Sequence, residues 1–253
     1  MFFKGRRRKR IASQPFPAEW LAILARNVPL YGRLPEADRA ELKRHILVFL
    51  AEKQFEGCGG LTITDEIRVT IAAHACVLLL HRTTDYYPGL KAILVYPNAY
   101  VVEDVYREAD GMVLGGRDIR LGESWRRGSV VLSWDDVRQS AADIRDGQNV
   151  TFHEFAHQLD SSGGRGDSTP VLRNRSTFIA WARALEEDYE KFQRDLRYGR
   201  AEVLDEYGAT DPAEFFAVAT EYFFEKAKDL QRVYPRLYEE LKRFYQQDPA
   251  AMD

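Results

Sequence analysis

The periodicity of apolar residues changes twice along the chain, and this order constrains the fold more than any single residue does. Near the start, Trp20, Leu21, Ile23, Leu24 and Val28 recur at helical spacing after Pro17. Leu42, Ile46, Leu47, Phe49 and Leu50 do the same after Pro35. Gly57, Gly59 and Gly60 then break the chain, and Thr64 caps a third predicted helix that carries Asp65 and Glu66 in its first turn and runs to about His81. The middle is different. Ala92–Tyr96, Val101–Val105, Gly111–Leu114 and Ser129–Ser133 are short, β-branched runs separated by Gly, Pro, Asn or Asp, and they read as strands. Helical patterns then return: Trp134–Ile144, Val150–Leu159, about Thr177–Leu196, Pro212 to about Ala227, and about Pro235–Gln247. The Gly, Ser, Asp and Arg content between Asp160 and Ser176 predicts an exposed loop. Helices, then a small sheet, then helices define an α+β class, with one domain over 13–253.

Composition narrows the setting. Apolar residues make up 45% of the 253, enough for a sizeable core, and charged residues make up 30%. The longest apolar stretch, Ile71–Leu80, is interrupted by His74, too short for a membrane span. Cys58 and Cys76 are too few and too scattered for a disulfide scaffold, so a reducing, cytoplasmic setting is expected. Lys4, Arg6, Arg7, Arg8, Lys9 and Arg10 precede no long apolar run or small-residue cleavage site, which argues against a signal peptide. A mobile basic arm over 1–12 is expected. The net charge of −3 argues against direct nucleic-acid binding.

The chemistry is concentrated in Thr151-Phe152-His153-Glu154-Phe155-Ala156-His157-Gln158-Leu159-Asp160. Phe152, Phe155, Ala156 and Leu159 follow i, i+3, i+4, i+7 and mark one buried face of a helix. His153 and His157 are one turn apart on another face, so both imidazoles can reach one Zn²⁺ at about 2.0–2.1 Å. Glu154 is displaced by about 100° around the helix, which aims it at a water beside the ion rather than at the ion. This is the HExxH arrangement of metallopeptidases. His45, His74 and His81 lie among apolar residues and read as structural.

A catalytic zinc needs a third protein ligand. Asp211 and Pro212 look like N-cap and N1 of a helix, which puts Glu214 at N3. From its neighbours alone, Glu214 fits a capping-box carboxylate as well as a metal ligand. Glu221, two turns further along the same face, is the rival ligand. A closed structural zinc is disfavoured, because the two cysteines are far from the motif in sequence.

The runs HEFAHQLD and YGATDPAEFFAVATEYFFE resemble the Mlc titration factor A family, a family of bacterial zinc peptidases. That resemblance extends over nearly the whole chain. The two motifs alone also resemble, more distantly, the catalytic domain of anthrax lethal factor. The family resemblance implies a zincin-like core of helices around a small mixed sheet. It implies Glu214 as third ligand and Tyr207 beside the metal, and with the HExxH helix it points to hydrolysis of a peptide or protein substrate with Glu154 as general base. It also implies a second role, binding a transcriptional repressor of sugar-uptake genes. One position departs from many zincins: Val218 stands where an acidic residue often supports a ligand histidine. Asp160, three residues after His157, is the expected substitute, although it serves equally well to end its helix. Ser129–Ser133 is the expected sheet edge for pairing with an extended substrate.

Overall fold

A computed structural model of the chain describes residues 2–107, 113–120, 122–125, 128–161 and 175–252. Helices α1 (Phe2–Ala12), α2 (Ala18–Asn27), α3 (Pro29–Arg33) and α4 (Glu36–Glu52) lead into strand β1 (Gln54–Gly57). Helix α5 (Asp65–Val77) and strand β2 (Ala92–Tyr96) follow. Next come β3 (Tyr100–Arg107), β4 (Val113–Arg120), β5 (Gly122–Trp125), β6 (Ser129–Ser133), α6 (Trp134–Ala142) and α7 (Val150–Ser161). The remainder is α8 (Arg175–Arg197), a 3-10 turn at Glu206–Ala209, α9 (Pro212–Glu225), α10 (Ala227–Val233), α11 (Pro235–Tyr245) and a second 3-10 turn at Pro249–Ala251. The class is α+β, as expected. Residues 111–112 of one expected strand, and 162–174 of the expected loop, lie outside the described residues.

The main sheet has the order β1-β2-β6-β5. β1, β2 and β6 are mutually parallel, and β5 joins β6 antiparallel, so the sheet is small and mixed. Parallel neighbours need a crossover, and α5 supplies it between β1 and β2. β3 and β4 form a separate antiparallel pair. Ser129–Ser133 is therefore not the sheet edge. It is paired on one side by β2 and on the other by β5. A strand's own residues fix its alternation but not its place in the sheet, which is why the run read as an edge.

The helix expected to reach His81 ends at Val77. The chain then turns, and His81 takes a left-handed φ of 62°, a conformation costly for a non-glycine residue. There its ring meets Asp38 at 2.8 Å and the Gln246 carbonyl at 2.9 Å. Thr64 caps α5 by accepting from the Ile67 amide. The helix expected up to Ala227 breaks at Lys226, and α10 starts there.

Residues 2–12, expected as an arm, form α1, which packs on α4. Arg8 is the pivot. Its guanidinium donates to both Glu52 carboxylate oxygens at 2.8 and 2.7 Å and to Asp85 at 2.6 Å. It also lies 4.6 Å from the Tyr86 ring centroid. Arg6, Arg7, Lys9 and Arg10 remain exposed.

The core lies around α5, α7 and α9. Phe152, Phe155 and Ala156 are fully or almost fully buried, as the spacing predicts. Phe155 packs on Phe49 and Tyr87, while Phe152 packs on His74 and Phe224. Each buried Phe contributes about 1.5–3 kcal/mol of transfer free energy. This anchoring orients the opposite side of α7. Among the described residues no helix is long and apolar enough to cross a membrane.

Candidate metal centre

Two helix starts build the site. α7 is capped by Asn149, whose side-chain Oδ1 accepts from the Phe152 amide at 3.1 Å. α9 is capped by Asp211, whose carboxylate accepts from the Ala213 and Glu214 amides at 2.7 and 3.0 Å, with Pro212 at N1. Asp211 caps without help from Glu214. The Glu214 carboxylate turns instead toward α7, so the capping-box alternative does not describe it.

His153, His157 and Glu214 each offer one ligand atom, and the three atoms lie within 4.8 Å of one another. Glu214 Oε2 is 2.9 Å from His153 Nε2 and 3.4 Å from His157 Nε2. The two Nε2 atoms are 3.2 Å apart. A tetrahedral ion with bonds of about 2.0–2.1 Å requires ligand atoms about 3.3 Å apart. The three measured separations fall around that edge length, and two imidazoles with a carboxylate are a donor set that suits zinc. The residues present therefore fit the ion.

The charge distribution fits as well. Burial disfavours a charged His153, yet its hydrogen bonds to Glu214 and Glu221 outweigh burial and hold its pKa well above the ordinary value. Burial likewise pushes Glu214 up, but hydrogen bonds from His153 and His157 pull it further, down to about 2. Both shifts report the same thing, a negative potential at His153 from Glu214 and Glu221, and that is the sign that attracts a cation.

Glu221 is the other half of the His153 environment. Its Oε1 lies 2.8 Å from His153 Nδ1. A carboxylate only accepts, so Nδ1 carries the hydrogen. When the Nε2 proton that bonds Glu214 is lost, Nε2 presents a lone pair toward His157 and Glu214 while Nδ1 keeps its hydrogen. Seven residues advance a helix by about 700°, close to two full turns, so Glu214 and Glu221 share a face. The spacing is visible in the sequence, but Glu221 faces His153 Nδ1, and Glu214 is the carboxylate facing both Nε2 atoms. Asp160, expected in the supporting role, is not the partner of His153 Nδ1.

Glu154 follows His153, is 4% exposed, and lies close enough for its charge to act on that ring. Tyr207 sits on the 3-10 turn with its ring centroid 5.9 Å from that of His153, and it is 54% exposed. The turn is fixed by the Tyr207 amide donating to Asp205 at 2.9 Å and by the Tyr189 hydroxyl donating to the Ala209 carbonyl at 2.9 Å. Gly208 lets the turn lie close on α9, since a Cβ there would come within 3.3 Å of Val218. β5, the outermost of the described strands beside β6, also packs on α7.

The other histidines lie elsewhere. His74 is buried and bonded through Nδ1 to the Thr70 carbonyl at 2.9 Å; burial lowers its pKa to about 4. His45 contacts the Tyr86 hydroxyl and Glu41.

An uncharacterized protein of Synechocystis is 41% identical over 245 residues, covering 96% of this chain and 89% of the relative. Mlc titration factor A of Serratia proteamaculans is 35% identical over 237 residues, covering 92% of this chain and 88% of the relative. The Yersinia pestis protein of that name is 31% identical, with 92% and 86% covered. The model of the glucose-regulated metallo-peptidase family M90 matches residues 3–246. Its span takes in α7, the 3-10 turn and α9 together, and the chain belongs to the M90 metallopeptidase family.

Proposed function

We propose that the chain is a zinc-dependent peptidase in which His153, His157 and Glu214 hold the ion. The observation that carries this reading is the convergence of those three ligand atoms, with Glu221 behind His153. When bound, zinc would acidify a water and polarise the scissile carbonyl. The Glu154 carboxylate takes the proton of the attacking water and delivers it to the leaving amine nitrogen. The Tyr207 hydroxyl donates a hydrogen bond to the oxyanion that develops on the substrate carbonyl oxygen. The extended substrate pairs with β5, whose outer side is unpaired among the described strands.

Glu154→Gln keeps the side-chain size and removes the base. The variant should retain zinc and lose hydrolysis of a peptide library. Unimpaired hydrolysis by the zinc-loaded variant would sink the mechanism.

A second role is supported by the relatives named Mlc titration factor A. In it the chain binds a transcriptional repressor, in a cytoplasmic setting that suits its free thiols, Cys58 and Cys76. Such binding does not require the Glu154 carboxylate. Glu154→Gln should therefore still capture the repressor in a pull-down with purified proteins.

A further inference from the structure

We propose that Asn149 is a positioning residue for the metal centre, acting on His153 through Glu221; this rests on the metal-centre reading above. Asn149 touches none of the three ligand atoms, yet every polar group it has serves the two helices that carry them. Its main-chain N–H donates to Glu221 Oε2 at 2.5 Å, leaving Oε1 for His153 Nδ1. Its carbonyl accepts from the His153 amide at 2.9 Å, which sets the backbone of the ligand itself. Its side-chain Oδ1 accepts from the Phe152 amide, and its Nδ2 donates to Glu225 Oε1 at 3.0 Å. Asn149, Glu221 and Glu225 are all more than nine-tenths buried, so water cannot replace these bonds cheaply.

An ordinary helix cap needs only a side-chain acceptor. Here the residue must also donate to a second carboxyl group on the facing helix, one turn beyond Glu221. Asn alone among the usual cap residues offers an oxygen and an NH₂ group together. Burial pushes Glu225 up to about 9, so at neutral pH it adds no second negative charge beside Glu221. The side chain thus pins the main-chain N–H on both sides, and that N–H fixes the carboxylate that fixes the imidazole.

The test is zinc affinity, measured by competition with a chromogenic chelator. Asn149→Ala should raise the zinc Kd about tenfold or more, within the range for partners of ligand histidines. Asn149→Ser, which keeps a capping oxygen, should raise it less. Thr64→Ala removes the cap of α5, far along the chain, and should leave the Kd unchanged. Because Asn149 acts through Glu221, adding Asn149→Ala to Glu221→Gln should raise the Kd little beyond Glu221→Gln alone. Should Asn149→Ala fail to fold, Asn149→Ser takes its place in the same cycle. A wild-type Kd in both Asn149 variants, full multiplicative effects in the double variant, or an equal rise in Thr64→Ala would overturn the proposal. If wild-type protein itself binds no zinc, the metal-centre reading fails instead.

Discussion

Replacing Glu221 by Gln separates a ligand's partner from a ligand. Both oxygens of Glu221 accept: one faces His153 Nδ1 at 2.8 Å and the other the Asn149 amide at 2.5 Å. A glutamine has one acceptor and one donor in the same volume. If its oxygen keeps the Asn149 amide, its NH₂ group faces Nδ1. His153 must then move its proton to Nε2, the atom that faces His157 and Glu214 and can no longer ligate. If its oxygen keeps Nδ1, a buried amide loses its acceptor, at about 1–3 kcal/mol. Either way the ligand geometry weakens while all three ligands remain. The expected rise in zinc Kd is tenfold to a hundredfold, about 1.4–2.8 kcal/mol. Chelator competition at neutral pH measures it, with chemical denaturation of the zinc-free protein as the control for folding. A Kd equal to wild type would refute the assignment of Glu221 as partner. Complete loss of zinc, equal to that of Glu214→Ala, would make Glu221 a ligand and refute it from the other side.

Tyr207→Phe keeps the ring beside His153 and removes only the donor, so it should keep zinc and lower kcat about 10²–10³-fold, more than it raises KM; a wild-type kcat in steady-state assays would exclude the oxyanion role. His74 has a folded pKa of about 4 against an ordinary 6.5, so the unfolded chain takes up the proton first as pH falls. Its contribution is fully present above pH 6.5 and is lost as pH falls through about 4, a total of roughly 3 kcal/mol. Urea midpoints across that range should therefore drop less in His74→Gln than in wild type, and equal slopes would contradict it.

The legible parts of the sequence were those set by local physics. The i, i+3, i+4, i+7 pattern of Phe152, Phe155, Ala156 and Leu159 dictates both the helix and which side of it is buried. Asp211-Pro212 marks the start of α9 because a carboxylate cap and a residue without an N–H suit the first helical positions. What depends on long-range pairing was not legible. β1 (Gln54–Gly57) and β5 (Gly122–Trp125) have few β-branched residues and exist because β2 and β6 offer them ladders. The order of strands turned Ser129–Ser133 from an expected edge into an interior strand. Glu214 and Glu221 occupy one helix face, and only the approach of α7 decides which carboxylate faces the two Nε2 atoms. Likewise the basic start reads as solvated until Glu52 and Asp85, distant in sequence, are brought to Arg8.

The proposed mechanism depends on one zinc held by His153, His157 and Glu214. Its most direct test is zinc stoichiometry by elemental analysis of purified wild-type and His157→Ala protein, each dialysed against the same trace of zinc. The proposed site predicts one zinc per chain in wild type and none retained in His157→Ala, with both proteins folded. Full zinc occupancy in folded His157→Ala would contradict the account, because the ion would then be held somewhere other than between α7 and α9.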